Sequence, residues 1–248
     1  MNYEYTSDQL LDRWEALREI KNLMGRLSAD YCIIEMRSMY DKYWSKREDI
    51  CLGVNEGWYE GASAVKAYYQ SIDKRVSYNT KKIRELFPDS FKEKSEEESY
   101  GCGMLDYKPV DTPVVEIAAD MQTAKGIWCI RGSHVEFTKS GPVAVWEWGW
   151  FAVDFVKEED EWKIWHMQYL DEISRTESSK WYGEETSYPE REEFSWAEDV
   201  KILPPNKPCK LRELYSIDRP FTPIPDVPVP YRTFSETFSY GIEGGICS

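Results

Sequence analysis

The sequence predicts an α+β fold, N-terminal helices followed by a long, strongly curved antiparallel meander. Three observations predict it. Apolar residues recur at steps of three and four over residues 7–35 and 62–76. From Thr112 the period changes to two and holds to about Leu170. The breaks between the period-two runs are too short for the crossovers that parallel strands require.

The first helix spans 7–35. Leu10, Trp14, Leu17, Ile20, Leu23, Leu27, Tyr31 and Ile34 form its stripe, and Thr6 with Gln9 has the spacing of a capping box. A shorter helix over 37–45 offers Met39, Tyr40 and Trp44 for burial. The turn-rich stretch Gly53–Gly61 follows, with a short strand at its centre, and a third helix covers 62–76. A short helix through Ile83, Leu86 and Phe87 stops at Pro88, and 92–99 reads as a charged, solvated face. Strands are predicted over 114–117, 123–137, 143–156 and 162–169, with Glu158–Glu161 as a polar turn. On the third strand Trp146, Trp148, Trp150, Ala152 and Asp154 share one face. Val145, Glu147, Gly149, Phe151, Val153 and Phe155 share the other. Both faces are largely apolar, so cover on both sides is expected, with Val145, Phe151, Val153 and Phe155 assigned to the outer one.

Beyond Leu170 the character changes. Residues 171–199 hold ten acidic and three basic side chains, and a Pro-rich stretch with regular aromatics follows to the end. We read two parts: a domain over 1–175 and an extension over 176–248, acidic and then Pro-rich. The extension is an arm that buries Phe221, Tyr231, Phe234 and Phe238 on its own domain or on a neighbouring subunit of a homodimer or trimer.

With 31 basic against 45 acidic residues, the net charge of −14 argues against binding nucleic acid or an anionic membrane surface. No run of 18 apolar residues occurs, and no signal peptide is visible. Six Cys lack any Cys-x-x-Cys spacing, and only two His are present, so reduced thiols in the cytoplasm are expected and a metal site is not. There is no phosphate-cradling Gly-rich loop and no nucleophile elbow, so no cofactor is expected.

Four segments carry a resemblance to a known family: Ile20–Arg26 on the first helix, Gly57–Gly61, Thr123–Trp128 on the second long strand, and Glu161–His166 on the last. In this order and spacing they resemble the SnoaL-like branch of the nuclear transport factor 2-like superfamily over residues 8–175. That branch includes the scytalone dehydratase and bile acid dehydratase type. The resemblance implies a cone with an apolar pocket at its open end, and either cofactor-independent dehydratase, isomerase or cyclase chemistry or noncatalytic binding and assembly. It also implies a Tyr, and an Asp five residues later, on the first helix. Here Leu27 and Cys32 stand at those positions, so the usual dehydratase set is absent.

The chemistry is therefore assigned from the residues themselves. His166 and His134 carry the side chain that exchanges protons near neutrality. His134 is expected to share a face with Trp128, Ile130 and Glu136, unless a bulge at Gly132 resets the parity. His166 is expected to share one with Trp162 and Ile164. Tyr31 follows Leu27 at i+4 and offers a phenol to a carbonyl or enolate oxygen. Asp111 marks the mouth where the first strand begins. Trp128, Trp146 and Trp148, with Trp150, would stack on a flat ligand; Arg131 and Leu27 complete the binding set. Asp154 is expected to pair with Arg131 or to face solvent. The expected function is a cofactor-independent lyase or isomerase acting on a hydrophobic aromatic or cyclic metabolite. The alternative is a noncatalytic small-molecule-binding or assembly domain.

Overall fold

In the computed structural model, residues 5–138, 141–176, 200–218 and 225–242 are described. The Thr6/Gln9 capping box forms and starts α1 (Ser7–Cys32). The helix stops three residues short of expectation, because Ile34 takes a left-handed φ of 61°. Ile20, Met24, Leu27 and Tyr31 form its buried stripe, whereas Leu10 and Trp14 in the first two turns are exposed. Next come α2 (Met39–Tyr43), β1 (Cys51–Val54), β2 (Gly57–Glu60) and α3 (Ala62–Leu86). The third helix runs ten residues beyond the predicted end and absorbs the separate helix expected near Ile83. Val76, Asn79, Thr80 and Ile83 extend its buried stripe across that stretch.

The remaining strands are β3 (Asp106–Tyr107), β4 (Val110–Ile117), β5 (Thr123–Thr138), β6 (Gly141–Glu158), β7 (Glu161–Thr176) and β8 (Lys207–Pro208). Their order is β3-β5-β6-β7-β1-β2-β8, with β4 also on β5. The sheet is curved and unclosed, and the helices pack on its concave face. The antiparallel meander β4–β7 is as predicted. The β6–β7 turn places Glu159 and Asp160 at positive φ, the handedness that a two-residue hairpin needs. The exception to the expected pairing is β1, which joins β7 in parallel.

The two faces of β6 are the reverse of expectation. Phe151, Val153 and Phe155 pack inward with the helices, and Trp150 and Ala152 face outward. Strand parity separates two sets of side chains without saying which is inner, and here both sets are apolar. On the outer face lies the segment 225–242. Tyr240 packs with Ile127 and Ala152, and Tyr231 is buried. Phe234 and Phe238 are half-buried, and Phe221 lies outside the described residues. Residues 200–218 follow the opposite edge, where β8 pairs with β2.

The cysteines depart from the expectation of reduced thiols throughout. Cys32, Cys51, Cys102 and Cys129 are free, but Cys209 is disulfide-bonded. Bonds between chain-distant cysteines leave no close-spacing signature in a sequence.

Candidate functional site

A cavity of about 640 Å³ lies between the helices and the concave face of the sheet. Its wall is aromatic and apolar: Tyr31 from α1, Tyr68, Ile72 and Val76 from α3, Tyr59 from β2, and Met104 and Leu105 before β3. One side of its mouth is formed by Ile202, Leu203, Pro204, Pro205 and Pro208 of the extension. That side is held in place by Tyr59, whose hydroxyl donates to the Leu203 carbonyl (2.5 Å), and by Ser71 Oγ, which accepts from the Leu203 amide (3.1 Å).

At the sheet end five titratable side chains converge: Asp106, Lys108, His134, Glu147 and Asp171. Strand register brings them together. Asp106 is paired with His134 across β3–β5, and Gly132 lies opposite Glu147 across β5–β6. Gly132 makes no bulge; β5 stays in register from Thr123 to Thr138. The glycine is needed because a Cβ there would sit 2.1 Å from the Tyr107 carbonyl oxygen, so only glycine lets β3 approach this closely. Lys108 follows directly, and its own carbonyl accepts from Ser28 Oγ on α1 at 2.6 Å.

Glu147 is the hub. Its Oε2 lies 2.9 Å from His134 Nδ1 and 3.1 Å from Lys108 Nζ. Lys108 also pairs with Asp106. The Lys108 ammonium lies 5.5 Å from the ring centroids of both Tyr31 and Tyr169, which adds cation–π attraction. Burial opposes the Lys108 charge, but Asp106 and Glu147 more than offset this and hold its pKa above the usual lysine value. Burial alone would raise Glu147, yet Lys108 and the His134 contact bring it down to about 2. Asp171 moves the other way. Burial, reinforced by the Glu147 charge, pushes its pKa well above the ordinary carboxyl range. Glu147 therefore holds the charge and Asp171 the proton. Burial likewise raises Asp106.

Asp171 is also well anchored. Its amide donates to Asn55 Oδ1 (2.8 Å), and Asn55 Nδ2 donates to its carbonyl (2.8 Å). Its Oδ1 and the Tyr169 hydroxyl are buried and find no hydrogen-bond partner among the described residues. The site thus presents the Tyr169 hydroxyl to a ligand beside a carboxylate-held imidazole and a buried cation, with the Asp171 carboxyl hydrogen-bonded to Glu147.

Of the residues expected from the sequence, the structure brings Tyr31 and His134 into this cavity. The carboxylate in contact with His134 is that of Glu147; the side chain of Glu136 lies outside the described residues. Leu27 and Trp128 lie in the packed core, the latter edge-on to Phe155, and neither lines the cavity. Trp146 and Trp148 are on the outward face of β6, and Trp146 is 46 % exposed. Asp111 and Arg131 form an exposed ion pair at 2.9 Å.

His166 does not share a face with Ile164. The pairing shifts from Asp154↔His166 to Phe155↔Ile164, which leaves Trp165 as an extra residue and turns His166 outward. There its Nδ1 lies 2.9 Å from Asp154, and its ring stacks on Trp165 beneath Phe234. Asp154 pairs not with Arg131 but with Lys125, at 2.5 Å and with both side chains fully buried. Sequence reasoning missed Lys108, in an irregular stretch without periodicity, and Asp171, grouped with the acidic segment. A signal for Asp171 was present: Met167, Tyr169 and Asp171 alternate along one strand face.

Residues 88–168 match the SnoaL-like domain family. No curated protein matches the chain. Among solved structures, it is similar to a hexachlorocyclohexane dehydrochlorinase, LinA type 3, from Novosphingobium barchaimii, at 10 % identity over 68 % of this chain and 95 % of that one, with a TM-score of 0.47. A protein from Kribbella flavida is 14 % identical over 64 % of this chain and 91 % of that one, with a TM-score of 0.44. A cystatin-like protein of unknown function from Nostoc punctiforme is 12 % identical over 68 % and 95 %, with a TM-score of 0.36. Among the described residues, no helix is long and apolar enough to cross a membrane.

Proposed function

We propose that the concave cavity is the active site of a cofactor-independent lyase or isomerase acting on a hydrophobic, aromatic or cyclic metabolite. The observation that carries this reading is the Glu147–His134 contact at the end of a cavity with a largely aromatic and apolar wall, with Asp171 nearby. Glu147 orients the imidazole through Nδ1, and proton abstraction falls to Nε2. Asp171, holding its proton, is the general acid for a leaving hydroxyl or a developing carbanion. Lys108 and the Tyr169 hydroxyl stabilise negative charge on a substrate oxygen as the proton leaves. Tyr31, Tyr59 and Tyr68 give the flat apolar wall that a ring system stacks on. The SnoaL-like match supports the lyase or isomerase type without naming a substrate.

A panel of hydroxylated and carbonyl-bearing cyclic metabolites tests the proposal. For a substrate that turns over, His134→Ala is expected to lower kcat/KM by about 10²- to 10⁴-fold, and Asp171→Asn by a similar factor. His166→Ala, outside the cavity, is expected to keep turnover. Full activity in His134→Ala overturns the assignment. Tight binding with no turnover across the panel would instead favour a noncatalytic binding domain.

A further inference from the structure

We propose that a second cavity, behind Asp171, is a water port that exchanges the proton of this side chain with solvent while substrate fills the main cavity. It rests on the reading of Asp171 as the general acid. The cavity measures about 410 Å³ and is lined by Asn55, Glu56, Asp171, Ser174, Lys210 and Arg212 among others. Asn55, Glu56 and Asp171 line the main cavity as well, so Asp171 stands in the wall between the two.

Two further observations point to water as the occupant. Ser174 is 1 % exposed, yet its Oγ has no hydrogen-bond partner among the described residues, and the same holds for Asp171 Oδ1. A buried polar group without a partner is destabilising, and a water removes that cost. The lining mixes donors (Lys210, Arg212) with acceptors (Glu56, Asp171), as a water cluster requires. The volume also exceeds the ~30 Å³ share of a liquid water many times over. Glu56 and Lys210 are exposed at the rim and Ser174 is buried at the floor, so the path leads from solvent to the carboxyl.

The proton balance is simple. Asp171 transfers its proton to the substrate and becomes a carboxylate in a buried site that disfavours the charge. A port water donates a proton to Asp171 Oδ1 and is itself reprotonated from bulk solvent. No water is consumed, and the main cavity need not open first.

The test is the infrared band of the protonated Asp171 carboxyl, identified as the band lost in Asp171→Asn, followed in time after transfer of the full chain to D₂O. Ile72→Trp, which fills the main cavity, should leave the exchange rate unchanged. Ser174→Leu, which fills the port, should slow it about tenfold or more. An unchanged rate in Ser174→Leu, or a slowed rate in Ile72→Trp, overturns the port alone. Absence of any Asp171-dependent band at neutral pH overturns the acid role as well. If Ser174→Leu does not fold, a crystal structure of the wild-type protein decides. Ordered waters on Ser174 Oγ and Asp171 Oδ1 are expected, and a dry cavity overturns the proposal. No substrate enters these measurements, so they fail independently of the turnover test.

Discussion

Asp154→Asn probes how the C-terminal segment is held to the sheet. The carboxylate of Asp154 is fully buried. Its Oδ1 accepts from Lys125 Nζ (2.5 Å), and its Oδ2 faces His166 Nδ1 (2.9 Å), Ser239 Oγ (3.0 Å) and the Tyr240 amide (2.8 Å). Asparagine keeps one acceptor and turns the other into a donor. Either Lys125 or the Tyr240 amide then meets an N–H, and in both orientations the Lys125 charge loses its counterion. The rings of Phe234, Phe238 and Tyr240 stand around Lys125 at 4.6–4.9 Å, and ring faces do not replace a carboxylate. Removing one partner of a buried pair costs about 3–5 kcal/mol. At about 2–4 °C per kcal/mol for a chain of this size, the melting temperature should fall by about 6–20 °C. Burial already depresses the Lys125 pKa, so loss of its proton in the variant sets the lower end of that range. Limited proteolysis should show new cleavage within 225–242, since Ser239 and Tyr240 are anchored through this carboxylate. The double variant Lys125→Met/Asp154→Leu should recover only the part due to the unpaired Lys125 charge, and the segment should stay cleavable, because Ser239 and the Tyr240 amide still lack their acceptor. An Asp154→Asn protein that melts like wild type and keeps that segment protected would refute the reasoning.

Glu147 is held down at about 2 from a usual 4.5, so its contribution to stability is complete above pH ~4.5 and is lost as the pH falls towards about 2. Denaturation midpoints measured across that window should show an acid limb that is absent in Glu147→Gln. Gly132→Ala should cost about 1–3 kcal/mol by overpacking against the Tyr107 carbonyl, read from urea midpoints, with loss of ligand binding because Asp106 and Lys108 move with β3. Asn55→Ala removes both hydrogen bonds to the Asp171 backbone. It should lower kcat more than it raises KM, whereas equal stability and kinetics would show that the bonds position nothing. Truncation after Asp199 removes one side of the cavity mouth and the cover of the outer sheet face. It should reduce solubility and melting temperature, measured by light scattering and calorimetry.

Much of the fold could be read from residue spacing. The Thr6/Gln9 box, the Ile20–Met24–Leu27–Tyr31 stripe and the period-two runs of β5 to β7 each follow from local chemistry, and each forms. The site was legible only where parity held. His134 kept its face because β5 has no bulge, and so it reached the cavity. His166 did not, because one extra residue at Trp165 reversed the side chains from there to Asp171, where a second shift restores the parity, and no residue type announces such a bulge. Lys108 and Asp106 owe their position to a two-residue strand that exists because Gly132 lacks a side chain. That is a long-range relation invisible in either segment alone.

The C-terminal extension touches both sides of the sheet, with 202–208 at the rim of the concave cavity and 225–242 across the convex face. A strap of this kind fixes an order of events during synthesis. Neither segment has a docking surface until β5, β6, β7 and β2 have paired, and both leave the ribosome after those strands. For that interval the nascent chain displays Ile127, Trp150 and Ala152 on an uncovered sheet, the kind of surface on which chains associate with one another, and docking of 225–242 is the step that removes it.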